Sequence, residues 1–209
     1  MDALGPLNSL LSGLTARLEA VEAKLGIAAP PSAGAGAVPE TLRADVEAFD
    51  ALRASHLQPF LDAAKAVGGA AASLSDIVAK AYDANRAYLL TASRSKKPTD
   101  AVARDIASPI AAAIKEANDA KDRRSDDFNH QSAVAEGCGA FQWVLIAPAP
   151  VPIVEACHDG AEFYLNKVRV QYRGKDDNQM AFCTTFKKFL LGLQAYVKEH
   201  HKTGVEVCR

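Results

Sequence analysis

No run of about 18 uninterrupted apolar residues occurs in this 209-residue chain, so the sequence offers no transmembrane helix. The N-terminus also lacks the basic opening of a signal peptide. In "MDALGPLNSLLSGLTARLEAVEAKLG", Arg17, Glu19, Glu22 and Lys24 fall inside the apolar pattern, which argues against cleavage and export. The expected location is cytoplasmic. Charge of one sign is missing too: 24 basic residues balance 25 acidic ones for a formal net charge of −1. The chain as a whole therefore presents no electrostatic footprint for nucleic acid or an anionic membrane.

Cysteine is sparse. Cys138, Cys157, Cys183 and Cys208 form no C-x-x-C pair, and no histidine stands at zinc-finger spacing from them. In a cytoplasmic chain they read as small buried thiols. Also absent are a G-x-S-x-G elbow, a Gly-rich phosphate loop and a Walker pattern, so no nucleophile or nucleotide cradle is marked. "GCGA" at 137–140 resembles an elbow only superficially, because it lies inside a helical period. No catalytic residue, metal site or cofactor is expected, and the chain is not read as an enzyme.

What is present is helix. Leu4, Leu7, Leu11, Leu14, Leu18, Val21 and Leu25 alternate at intervals of three and four, the a/d seam of a coiled coil. Pro6 suits a first helical position and Gly26 a stop. A lone helix this short is marginal in water and leaves a leucine stripe bare, so residues 1–26 are expected to form homo-oligomers, the alternative being that they dock on their own domain. Residues 27–38, rich in Ala, Gly and Pro, read as a linker.

Residues 39–203 show helical spacing throughout, and no alternating strand pattern competes. The expected fold class is all-α. Six segments emerge, and residues 204–209 form a tail. The first runs from Pro39 to about Val67, with Leu42, Val46, Phe49, Leu52 and Phe60 near one face and a bend at Pro59. The second, about Ala70 to Thr91, carries Leu74, Ile77, Val78, Ala81 and Leu89; the third carries Val102, Ile106, Ile110 and Ile114, with a kink at Pro109. The fourth ends before "APAPVP" at 147–152. Val154, Cys157, Ala161, Leu165, Val168 and Tyr172 mark the fifth, and Phe182, Phe186, Phe189, Leu193 and Val197 the sixth. Short connections favour antiparallel neighbours, hence an antiparallel six-helix bundle.

The fourth segment opens on "RRSDDFNHQSAVAEG", residues 123–137. Ser125 suits an N-cap, and Asp126 and Asp127 suit the first turn, where the positive helix end favours a carboxylate by about 0.3–1 kcal/mol. His130 aligns with Val134, Cys138, Phe141 and Leu145, while Phe128, Ala135, Gly139 and Ile146 form a second seam, so this helix is central and His130 is a hydrogen-bonded core residue rather than a ligand. Asp126 and His130 stand at i, i+4, but no second pair of ligands joins them, and His158, Asp159, His200 and His201 sit near helix ends or exposed. A pocket converging on His130 and Glu136 would reopen an enzyme reading. Capping and packing leave the cations over: Arg123 and Arg124, with Arg94, Lys96 and Lys97 in the preceding loop. These are either solvated charges at helix ends or binding residues displayed on loops of a rigid scaffold.

"LTARLEAVEAKL" at 14–25 resembles the N-terminal segment of the cyclase-associated proteins, with its Arg17, Leu18, Glu19 signature. "RRSDDFNHQSAVAEG", "FQWVLIAPAP", "GAEFYLNKV" and "LQAYVKEHHKTG" resemble, in the same order, motifs of that family's helical folded domain. The resemblance implies a six-helix bundle, oligomerised through the N-terminal coiled coil, that binds actin and works with cofilin to disassemble filaments and turn over monomers. It also implies a place in the actin cytoskeleton and at the cell cortex, and the Arg17-Leu18-Glu19 motif implies adenylyl cyclase as a partner. Lys96, Lys97, Arg123 and Arg124 are then the candidates for meeting acidic actin. The proline-rich, WH2 and C-terminal β-structured segments of the family do not appear before Arg209, so the expectation is filament turnover without nucleotide exchange. The runner-up is an oligomeric signalling adaptor that binds adenylyl cyclase or another partner through the coiled-coil helix.

Overall fold

Pro59 has no backbone N–H, so the carbonyl four residues before it, on Ser55, loses its α-helical partner. The chain answers by widening. In the computed structural model, which describes residues 43–94 and 100–206, helix α1 (Ala44–Leu52) passes through a π turn (Arg53–Leu57) into α2 (Gln58–Val67). The Gln58 N–H bonds to the Arg53 carbonyl five residues back. The expected bend at Pro59 is thus a π turn immediately before it, and Val46, Phe49, Leu57, Phe60 and Ala64 stay on the buried side.

Gly68 and Gly69 hold φ of 78° and 52°, a left-handed pair that lets α2 turn into α3 (Gly69–Arg94) with almost no connecting loop. Helix α4 (Asp100–Asp119) continues through Pro109. There the carbonyl of Asp105, orphaned by the proline, accepts the Ser108 hydroxyl at 2.9 Å.

Helix α5 (Phe128–Cys138) runs on as a 3-10 helix over Gly139–Leu145. Every residue of α5 from His130 to Cys138 except Glu136 is buried, the central position its two apolar seams predict. The seams end early, however. Leu145 and Ile146 are exposed, because the chain leaves the 3-10 helix in an extended conformation at Ile146. Helix α6 (Val151–Tyr172) starts with Pro152 in its first turn, and α7 (Asp177–His200) is capped by Asp176. The Asp176 carboxylate accepts the N–H groups of Asn178 at 2.9 Å and Gln179 at 3.3 Å.

Counting α1 with α2 and α5 with its 3-10 extension, these make a six-helix bundle, and no strand occurs among the described residues. Aromatic packing fills its centre. Phe49 stacks on Tyr82 with ring centroids 4.2 Å apart, and Phe60 meets Phe186 at 4.7 Å and Phe182 at 5.4 Å. Burying each such side chain contributes roughly 1.5–3 kcal/mol. Cys138 and Cys183 are buried free thiols and Cys157 is partly buried. Cys208 lies outside the described residues, as do the heptad leucines.

Candidate functional site

The turn between α4 and α5 is built by two short side chains bonding to backbone. The Asp122 carboxylate accepts the Arg124 N–H at 2.9 Å, and the Ser125 hydroxyl oxygen accepts the Asp127 N–H at 3.1 Å. Backbone bonds from Ser125 to Asp122 and from Phe128 to Ser125, each 3.1 Å, close two successive turns. Gln131, on the first turn of α5, reaches back to accept the Asp122 N–H at 2.8 Å. Ser125 therefore caps a turn, not the helix, and α5 begins at Phe128 with Asp127 in the N-cap place. Local side-chain bonds outcompete helix extension here.

This frame holds Arg123 and Arg124 outward. Both are exposed, and neither side chain has a partner among the described residues. Other cations differ: Arg86 is engaged by Asp50, Lys80 by Glu116, and both Arg169 and Lys187 by Glu162. Two unpaired guanidinium groups on a fixed turn suit recognition of carboxylates. Lys96 and Lys97, the other contact candidates, lie outside the described residues. So do Leu7, Leu11, Leu14, Leu18, Val21 and Leu25, and Arg17, Leu18 and Glu19.

Behind the turn, His130 is buried and its Nε2 stands 2.6 Å from the Gln179 side-chain oxygen. Its ring packs on Phe182 and Tyr172. Burial lowers its pKa, although the Gln179 bond and the Asp127 carboxylate oppose this. His130 is a neutral core group that joins α5 to α7. Asp126 sits before the helix and is exposed, so the i, i+4 relation with His130 read from the sequence dissolves. No group of three or more His, Cys, Asp or Glu side chains converges in a metal-holding arrangement among the described residues.

Cys138 is fully packed and burial, aided by neighbouring Cys157, pushes its thiol up to about 12. A nucleophile needs the opposite shift. Gly137 beside it serves packing, since a Cβ there would come within 2.5 Å of the Phe186 ring.

Sequence reasoning missed two features. His201 stands at the end of α7 as expected, in the C-cap place, but it is buried, with its Nε2 2.9 Å from the Tyr196 hydroxyl. Phe163 and Val170 on α6 are large apolar residues left exposed. Only the position of Phe163 outside the seam of Ala161, Leu165 and Val168 signals this.

The family profile described as CAP, N-terminal domain, matches residues 49–205. The chain is 35% identical over 204 residues to adenylyl cyclase-associated protein 2 of Rattus norvegicus, covering 92% of this chain and 43% of that protein. It is 37% identical over 195 residues to adenylyl cyclase-associated protein 1 of Homo sapiens, covering 90% and 40%. The chain thus spans about two fifths of the length of these relatives. A crystal structure of the N-terminal domain of CAP, which indicates variable oligomerisation, superposes with a TM-score of 0.76 at 31% identity, over 79% of this chain and 91% of that one. The N-terminal domain of the adenylyl cyclase-associated protein from Dictyostelium discoideum gives 0.74 at 30% identity, over 78% and 94%.

Proposed function

The chain belongs to the cyclase-associated protein family, whose N-terminal domain it carries, and on that premise we propose that it binds actin and, with cofilin, promotes filament disassembly and monomer turnover. The role is binding rather than catalysis. The observation that supports it best is the fixed turn at 122–128, which displays Arg123 and Arg124 unpaired at the head of the central helix. Lys96 and Lys97, just ahead of Pro98 in the sequence, belong to the same set of contacts. Actin is acidic, so cations at the edge of the contact steer encounter and raise the association rate.

Each bundle contact is weak alone. Residues 1–26, joined by the linker at 27–38 to the bundle at 39–203, link several bundles through Leu7, Leu11, Leu14, Leu18, Val21 and Leu25. Linking raises the effective concentration for every contact after the first, and avidity rises by about 10²–10⁴ where the geometry allows simultaneous engagement. The setting is the cytoplasm, at the actin cytoskeleton and the cell cortex.

The test is depolymerisation of cofilin-decorated filaments by the wild-type chain and by Arg123→Ala/Arg124→Ala. The double variant should lose several-fold in rate at low salt, less at high salt, with unchanged helical content. Full activity at equal helicity removes the two arginines from the contact, and a wild-type chain without effect on filaments removes the function.

A second reading is favoured by the adenylyl cyclase association in the relatives' names and by Arg17, Leu18 and Glu19. In it, the N-terminal helix binds adenylyl cyclase as an adaptor. Cyclase binding that is lost on changing Leu11 and Leu18, with no effect on actin, would support it over the first.

A further inference from the structure

The second half of α6 carries no acid. From Phe163 to Lys175 the sequence is "FYLNKVRVQYRGK", with Lys167, Arg169, Arg173 and Lys175 and no aspartate or glutamate. Arg169 is consumed internally, bonding to Glu162 at 3.0 Å and to the Cys183 carbonyl at 3.3 Å. Lys167 and Arg173 remain exposed. Cations near a helix C-terminus complement its dipole, which accounts for charge there.

It does not account for the apolar residues between them. Val170 is 83% exposed and Phe163 58% exposed, seven positions apart and so on one face of the helix. The Lys167 ammonium lies 4.3 Å from the centre of the Phe163 ring and 5.1 Å from that of Tyr164, a cation–π contact that fixes the ring at the surface. Val170 stands between two shallow hollows, one bounded by Phe163 and Lys167, the other by Arg173 and Met180 of α7. The Phe128 ring meets Tyr164 edge-on at 6.3 Å, and Tyr164 meets Phe163 at 5.1 Å. An aromatic path therefore runs from the turn of Arg123 and Arg124 to this face.

We propose that this face of α6 is a docking surface for an acidic amphipathic segment of a protein partner, with apolar side chains seated on either side of Val170 and carboxylates meeting Lys167 and Arg173. Charge complementarity selects the occupant. A second copy of the chain fits poorly, because a two-fold axis pairing Phe163 with Val170 sets both Lys167 side chains beside that axis. The proposal rests on the function proposed above, in which the protein carrying the segment is cofilin-bound actin.

Val170→Asp and Lys167→Glu, each in the full chain, test it by co-pelleting with cofilin-decorated filaments, beside Arg123→Ala/Arg124→Ala and a melting curve for every variant. Both α6 variants should weaken binding about tenfold or more, as central contacts do, at wild-type melting temperature. Wild-type affinity in both overturns this proposal alone, even while the arginine variant is weakened. A wild-type chain that fails to pellet with the filaments overturns the function and this surface together. Pelleting with phosphatidylserine vesicles that Val170→Asp abolishes, at undiminished filament binding, reassigns the face to lipid and also overturns the proposal.

Discussion

The Tyr196 hydroxyl donates to the backbone carbonyl of Asp45 at 2.9 Å, across 151 positions of sequence. The same oxygen lies 2.9 Å from His201 Nε2. Arg43 closes the junction from outside, its guanidinium holding the Asp45 carboxylate and donating to the Glu206 carbonyl at 2.9 Å. The first turn of α1 is thereby tied to the end of α7 and to the segment after it. Trp143 of the 3-10 helix packs on both Tyr196 and His201, so the tie also reaches the centre of the bundle.

Tyr196→Phe keeps the ring and removes one buried oxygen. The Asp45 carbonyl and His201 Nε2 both lose that partner, and an unmet buried polar group costs about 1–3 kcal/mol. Urea unfolding should show a loss in that range with an unchanged m-value. A loss below about 0.5 kcal/mol, less than a typical net hydrogen bond contributes, would mean that the hydroxyl is not what holds the ends together.

Stability should fall as the solution is acidified from neutral. Burial drives the His201 pKa down to about 4, against the pull of the Asp45 carboxylate. The unfolded histidine binds its proton near pH 6.5 and the folded one does not until about pH 4, so the unfolded state gains protons first. The stabilisation is complete above pH 6.5 and is lost across that window, up to about 3 kcal/mol from this residue. His130, lowered mainly by burial, adds to the slope with the same sign. Asp45 extends the loss to lower pH: burial raises its pKa, but the Arg43 hydrogen bond and charge win and hold it below the ordinary value. Thermal melts between pH 7.5 and 4 check this, and His201→Gln should flatten the curve. An unchanged slope in that variant assigns the effect elsewhere.

The apolar spacing already marked Val154, Cys157, Ala161, Leu165, Val168 and Tyr172 on α6 and Phe182, Phe186, Phe189, Leu193 and Val197 on α7; Cys157 and Tyr172 are half-buried and the others are buried. Periodicity reports which side chains need shelter from water, and in a bundle that fixes most of each helix's orientation. It is silent on backbone accounting, which is why Pro59 announced a bend but not the π turn that resolves it. It is equally silent on tertiary reach. Nothing near His201 in sequence says that Tyr196 and Trp143 will enclose it. Of the candidate contacts, exposure of Arg123 and Arg124 was legible because capping and packing had no use for them. The bare face of Phe163 and Val170 was marked only by their places off the seam of Ala161, Leu165 and Val168, since an apolar residue in an amphipathic helix looks like core until the neighbouring helices are in place.

Gly137→Ala and Gly192→Ala should separate, although both improve helix propensity by about 1 kcal/mol. At Gly137 the new Cβ comes within 2.5 Å of Phe186 Cζ, and that ring is held between Phe60 and Phe189 with no room to withdraw. Overpacking there costs about 1–3 kcal/mol and outweighs the propensity gain. At Gly192 the nearest atoms, 2.7 and 2.9 Å away, belong to the His56 ring, which is only partly buried and can swing toward solvent. Melting temperatures should fall for Gly137→Ala and change little for Gly192→Ala. Equal shifts would show that the α5–α7 contact is no tighter than the one at the π turn.

The avidity account is tested most directly by Leu11→Glu with Leu18→Glu. Both positions fall on the heptad seam, outside the described residues, and a buried carboxylate there must be desolvated without a partner. Sedimentation should give the mass of a single chain, and the helical bundle should melt at the wild-type temperature. Apparent affinity for cofilin-decorated filaments should drop by about 10² or more, the lower end of what linkage supplies, while a single bundle's contact survives. The comparison is informative because Arg123→Ala/Arg124→Ala should do the converse, weakening each contact and leaving the mass untouched. If the glutamate variant keeps both its mass and its affinity, the leucine seam is not what joins the copies, and multivalency cannot be what strengthens binding.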